Sequence, residues 1–222
     1  MTRALDAQRR EPLSGETRSC VVFLHGYGAN AADLIGLADP LAEHMPDTLF
    51  ISPDAPEECL GAPMGRQWFP IPWIDGSSEE ESKMGLDRAA ADLDAFLDGI
   101  MVDEDLLPEQ VMILGFSQGT MMALHVVPRR EDAVAGIVAF SGRLLEPDAL
   151  VDEARSRPPV LLIHGDADDV VPPQSLPQAA EALQEAGWKE VYAHIMKGTG
   201  HGIAPDGLSV ALAFMRDRLG LS

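Results

Sequence analysis

A serine hydroxyl attacks an acyl carbon only when a base takes its proton, and histidine serves as that base best when a carboxylate fixes its tautomer. The chain offers a serine with the right address. Ser117 follows the apolar run Val111-Met-Ile-Leu114, is flanked two residues away by Gly115 and Gly119, and precedes the helix-compatible Thr120-Met-Met-Ala-Leu-His-Val-Val127. A Gly-x-Ser-x-Gly turn between a strand and a helix lifts the hydroxyl clear of a strained backbone, and its outer positions must be small for the two elements to pass closely.

The partners are expected downstream, in the order serine, acid, histidine. Of six histidines, His25 and His44 precede Ser117, His125 lies on the helix after it and His164 closes a strand ahead of the best acid. His194 sits inside a strand pattern, whereas His201 lies in the flexible loop Lys197-Gly-Thr-Gly-His-Gly202, so His201 is the expected base. The run Val160-Leu-Leu-Ile-His164 ends in Gly165-Asp-Ala-Asp-Asp169, which holds three carboxylates. Asp166 is placed to cap the turn through local amides, Asp168 projects toward the histidine, and Asp169 is the solvent-facing runner-up. Consecutive positions on one loop diverge, which disfavours a cation site made of the three.

Acyl transfer also needs donors for a developing oxyanion. The amide of Gln118, directly after the serine, is one candidate. The amide of Tyr27, in the glycine-bearing loop His25-Gly-Tyr-Gly-Ala-Asn30 after the run Val21–Leu24, is the other. His25 is expected to hold that loop by hydrogen bonds. Trp68, Phe69, Ile71, Trp73 and Met64, all in the Pro- and Gly-rich stretch 53–82, are candidate walls of an acyl site; the alternative is a satellite cluster that plugs one end of the sheet.

The elements that must carry these groups are short apolar runs at 20–24, 48–52, 111–114, 134–140, 160–164 and 191–195, read as buried strands. Helical faces lie between them, with Leu86, Ala90, Leu93, Leu97 and Ile100 on one, Leu176, Ala179, Ala180 and Leu183 on another, and a last helix from about 208 to 219. This alternation predicts an α/β fold, a mostly parallel central sheet with helices on both faces. Residues 1–18 are expected to form a tail or an extra edge strand, and 19–222 a single domain.

With 222 residues and 46% apolar content, the chain can bury a sizeable core, and no run is long enough to span a bilayer. Thirty-six acidic against sixteen basic residues give a net charge of −20, which repels phosphate backbones and excludes nucleic acid as a partner. The first residues lack the apolar region of a secretory signal, so a cytoplasmic location without stable membrane insertion is expected. Cys20 and Cys59 offer neither a disulfide framework nor a zinc pattern.

Taken together, His25-Gly-Tyr-Gly28, Gly115-Phe-Ser-Gln-Gly119, His164-Gly-Asp-Ala-Asp-Asp-Val-Val-Pro172 and Gly200-His201 resemble the carboxylesterase/phospholipase branch of the α/β-hydrolases, which includes acyl-protein thioesterases and lysophospholipases. The likeness spans about residues 19–219 and extends to Ser52-Pro-Asp-Ala-Pro56 and the pair Trp68-Phe69. It implies an α/β-hydrolase fold without a large cap domain, the triad Ser117, Asp168 and His201, and oxyanion amides at Tyr27 and Gln118. Two departures bear on the acyl pocket: Tyr27, where leucine is frequent, and the proline-rich Trp68-Phe-Pro-Ile-Pro-Trp73.

The expected activity is hydrolysis of small carboxylic esters, of short to medium acyl chain, through an acyl-serine, by a monomer or homodimer that needs no metal or organic cofactor. Lysophospholipase or acyl-protein thioesterase activity is the alternative within the same chemistry. A non-catalytic binding protein on this fold is the rival of another class, although such proteins generally lose a triad member and every position here is filled.

Overall fold

A computed structural model describes residues 2–59 and 61–221. In chain order the first elements are β1 (Ala7–Arg10), β2 (Ser19–Leu24), α1 (Ala31–Ile35), α2 (Ala38–Ala42) and β3 (Thr48–Pro53). The stretch 53–82 then carries a two-strand ribbon, β4 (Glu57–Glu58) with β5 (Arg66–Gln67), a single turn α3 (Pro72–Asp75) and the start of α4 (Glu79–Asp103). The remainder alternates as β6 (Val111–Phe116), α5 (Gln118–Val126), β7 (Gly136–Phe140), α6 (Pro147–Glu153), β8 (Val160–Gly165), α7 (Ser175–Glu185), β9 (Val191–Met196) and α8 (Pro205–Arg218).

Seven strands form the main sheet in the order β1-β3-β2-β6-β7-β8-β9, parallel throughout except for the antiparallel edge pair β1 and β3. Every residue of β2, β3, β7 and β8 is buried, which explains why these strands read as continuous apolar runs rather than alternating ones. Their side chains still divide by the strand period of two. Cys20, Val22, Leu24, Val111 and Ile113 enter the core beneath α4, α5 and α7, and Val21, Phe23, Met112 and Leu114 enter the core beneath α1, α2 and α8. No large cap interrupts the chain, and the two cysteines form no disulfide. Burial pushes the Cys20 thiol far above its ordinary value, so it stays protonated.

Helix α4 supports the wall of the site. A capping box between Ser78 and Glu81, with Glu79, Glu80 and Glu81 in the first turn, starts it against a favourable dipole. Leu86, Ala89, Leu93, Leu97 and Ile100 then face the core; the buried stripe passes through Ala89, with the expected Ala90 at its margin. Near its start, a Cβ on Gly85 would lie 2.6 Å from Pro70 Cδ and 3.2 Å from Phe69 Cβ. The helix therefore seats the Trp68–Pro70 strip directly on its backbone.

Candidate active site

Ser117 ends β6 and caps α5 with φ 56° and ψ −115°, a left-handed conformation that costs a non-glycine residue on the order of 1–3 kcal/mol. Surrounding packing compels it. A Cβ on Gly119 would collide with the carbonyl of Leu24, and one on Gly115 would lie 2.5 Å from the Thr120 amide nitrogen. Strand, turn and helix thus pass at backbone contact, held also by the bonds from Ser117 N to the Phe140 carbonyl (2.9 Å) and from Thr120 Oγ1 to the same oxygen (2.7 Å).

The acid turn after β8 and the histidine loop after β9 come together by backbone contact and by hydrogen bonds between the loops. A Cβ on Gly165 would strike the Thr199 carbonyl and lie 2.6 Å from that of Gly200. Ala167 N donates to the Thr199 carbonyl (3.0 Å), and Asp166 Oδ1 accepts from the Gly198 amide (2.6 Å). Asp166 therefore bonds across to the histidine loop rather than to the local amides expected for it. Asp169 is exposed, so the three carboxylates point three ways.

At the junction, His201 Nε2 lies 2.9 Å from Ser117 Oγ, and His201 Nδ1 lies 2.8 Å from Asp168 Oδ2. The ring of Phe116 flanks the imidazole at a centroid distance of 4.9 Å. Asp168 Oδ1 accepts from the amides of Val170 and Val171, each at 2.9 Å. Burial alone would raise the Asp168 carboxyl, but the hydrogen bond with His201 and those two amides outweigh it and hold the group below its ordinary range. The carboxylate is thus charged at neutral pH, and an imidazole so held can accept the serine proton. His194 is elsewhere, paired with Asp206 at 2.8 Å.

The loop after β2 supplies the facing wall. A Cβ on Gly26, the residue before Tyr27, would lie 3.2 Å from that of Ser117, so this loop passes close to the serine, while Gln118 opens α5, whose N-terminus favours negative charge. His25 holds this loop from within. Its Nε2 accepts from the Ala55 amide (3.0 Å), which leaves the hydrogen on Nδ1 to be donated to the Gly26 carbonyl (2.8 Å). Burial lowers its basicity further, so it remains neutral.

The Gln118 side chain ties the serine turn to the 53–82 stretch. Its Oε1 accepts from the Trp68 amide (3.0 Å) and its Nε2 donates to the Phe69 carbonyl (2.7 Å). Beyond lies a cleft of about 350 Å³ whose apolar walls include Phe69, Ile71, Trp73, Leu86, Met121 and Leu145; Met121 is one helical turn from Ser117. Arg143 stacks over the Trp73 ring at 5.1 Å, and Lys83 bonds Glu146 at 2.8 Å along the rim.

Three expected wall residues, Phe69, Ile71 and Trp73, therefore face one cleft, and two do not. Trp68 is fully buried because its indole N–H donates to the His25 carbonyl (3.0 Å), which makes it a strut beneath the site. Met64 is 86% exposed and borders a separate depression formed by residues of 58–66. Met121, Leu86 and Leu145 were not among the expected walls. Met121 had a readable signal, its i+4 spacing from the serine.

A strained serine at a strand-to-helix turn, bonded through a histidine to a buried carboxylate on a mostly parallel sheet, defines the serine hydrolases of the α/β-hydrolase fold. The family model described as phospholipase/carboxylesterase matches residues 11–219, and the chain belongs to that family. It is similar to the crystal structure of esterase PE8, with 41% identity and a TM-score of 0.92 over 98% of this chain and 100% of that one. It is also 29% identical to acyl-protein thioesterase 1 of Saccharomyces cerevisiae, over 91% of this chain and 93% of the relative. Esterase YpfH of Escherichia coli is 28% identical, over 88% and 81% respectively.

Proposed function

We propose that the chain hydrolyses carboxylic esters of short to medium acyl length with Ser117 as nucleophile, His201 as general acid and base, and Asp168 as the partner of that histidine. The observation that carries the reading is the unbroken Ser117–His201–Asp168 relay, with separations of 2.9 and 2.8 Å. His201 takes the Ser117 proton as Oγ bonds the ester carbon, and the carbonyl electrons move onto an oxyanion held by the Tyr27 and Gln118 amides. Collapse of the intermediate breaks the bond to the leaving alcohol, which receives that proton from His201. Water, deprotonated in turn by His201, then releases the acid and restores the serine.

The cleft of about 350 Å³ supports the acyl-length assignment, since it lies near the small end of ligand pockets, about 300–1,000 Å³. None of these steps calls for a metal or an organic cofactor. Among the described residues no helix is long and apolar enough to cross a membrane, and thiols without a disulfide suit the reducing cytoplasm, where we place the enzyme. The second reading, a thioesterase or lysophospholipase for longer chains, is favoured by the exposed Trp73, Ile74 and Met84, which extend apolar surface from the cleft and the neighbouring start of α4.

The test is kcat/KM for p-nitrophenyl esters and matching thioesters across acyl lengths, with Ser117→Ala as control. The control should lose at least about 10⁴-fold in kcat, and substantial remaining turnover would refute the nucleophile. A maximum from acetyl to hexanoyl esters supports the first reading, and one at long-chain thioesters or lysolipids replaces it with the second.

A further inference from the structure

Asp168 has a second imidazole beside it. His164, at the end of β8, places Nε2 3.2 Å from Asp168 Oδ2 and 2.9 Å from the Val171 carbonyl oxygen, and both side chains are buried, at 4% and 0% exposure. A carbonyl oxygen only accepts, so Nε2 carries a hydrogen, which it donates to Val171, and the same N–H dipole lies beside Asp168 Oδ2. Asp168 Oδ2 thus faces imidazole N–H groups of His164 and His201, while Oδ1 takes the amides of Val170 and Val171. Three donors bond the carboxylate, and the buried His164 ring adds its N–H dipole beside the oxygen that holds His201.

We propose that His164 is a positioning residue for Asp168: it braces the acid turn through the Val171 carbonyl, whose own amide bonds Asp168 Oδ1, and the dipole of its Nε2–H draws charge from the oxygen that holds His201. The inference rests on the reading of Ser117, His201 and Asp168 as the reaction centre. Rotation of the carboxylate would break bonds at both oxygens, so Oδ2 stays aimed at His201. The nearby N–H dipole also limits how tightly Oδ2 grips the imidazolium that forms when His201 takes the serine proton. Too tight a grip would hold that proton and withdraw the base.

Among the described residues no other ionisable side chain competes at this carboxylate. Asp166 is turned to the Gly198 amide and Asp169 to solvent, and His201 faces only Asp168, Ser117 and the uncharged Phe116 ring. Sequence reading sets His164 aside because it closes a strand before the acid. Its spacing of four residues from Asp168, across a turn, is the signal that marks it.

The experiment is the pH profile of kcat and KM on p-nitrophenyl butyrate for His164→Leu and His164→Gln. With leucine, kcat should fall about tenfold at neutral pH with KM nearly unchanged, and the acidic limb of kcat/KM should move to higher pH as the unshared carboxylate holds the imidazolium more firmly. Glutamine, whose amide N–H reaches a similar point, should return the limb toward its native position. Equal losses in both variants with an unmoved limb would show that His164 only fills space, and would overturn the proposal. If the leucine variant does not fold, His164→Asn, too short to reach Oδ2, takes its place: a limb moved to higher pH supports the assignment and an unmoved one overturns it. Full activity of Ser117→Ala would instead bring down the underlying centre, a separate outcome.

Discussion

The turn after β6 and the turn after β8 both deliver a reactive side chain to the same point, yet they differ in what holds that side chain itself. The serine turn is fixed by exclusion: glycines at 115 and 119 let backbones meet at distances no side chain permits, and Ser117 is forced to φ 56°. The acid turn shares one such close approach, at Gly165, but Asp168 itself is held by attraction, with donors converging on it and bonds running to the histidine loop. A nucleophile must be lifted out of the backbone whatever the strain, whereas a carboxylate must be aimed and kept charged, and only donors do both. The two turns should therefore fail differently.

The largest expected effect is on activity at the acid turn. Asp168→Asn keeps an oxygen for the Val170 and Val171 amides but presents an NH₂ to His201, which selects the wrong tautomer. It should lower kcat by about 10⁴ while costing no more than about 1 kcal/mol in urea unfolding. A loss of fold with the loss of activity would break the distinction drawn above. Next comes Gly119→Ala, whose methyl meets the Leu24 carbonyl; a destabilisation of about 3 kcal/mol or more, read as a lowered Tm, is expected with activity falling in step. A variant of native Tm would refute fixation by exclusion.

The smallest effect is the pH dependence of stability. Because the Asp168 carboxyl lies below its ordinary value when folded, its contribution is complete above the unfolded value of about 3.9 and is lost as pH falls through the native one. Unfolding free energy should accordingly drop more steeply below about pH 4 in the native protein than in Asp168→Asn. Parallel curves would mean that the donors around Asp168 are energetically idle.

The two turns also differ in how plainly they can be read from residues. The strand runs at 20–24, 111–114 and 160–164 are continuous because both sheet faces are covered, so their apolar content alone reveals them. Gly-x-Ser-x-Gly announces the serine turn because exclusion leaves glycine as its trace. The bonds that assemble the acid turn leave no such mark: Asp166 reaching Gly198 and His164 reaching Asp168 depend on which loops become neighbours. Stretch 53–82 was opaque for the same reason. Trp68 looks like a pocket wall until the His25 carbonyl is seen to satisfy its indole, Gln118 holds the Trp68-Phe69 backbone, and β5 is tied through Arg66 to Gly28 and Ala29 of a distant loop. Helices α1, α2 and α6 escaped notice because five to seven residues give little periodicity to detect.

The hydrogen bond from Ser117 to His201 joins residues 84 positions apart. At synthesis rates of about 5–20 residues per second, a growing chain carries its serine for about 4–17 s before the histidine has even been added. Throughout that interval the hydroxyl is chemically ordinary, so a half-made chain on the ribosome cannot trap acyl groups. Acquisition of turnover therefore requires that β9 and its loop have docked against the sheet, and hydrolysis reports that long-range event more directly than any measure of helix content.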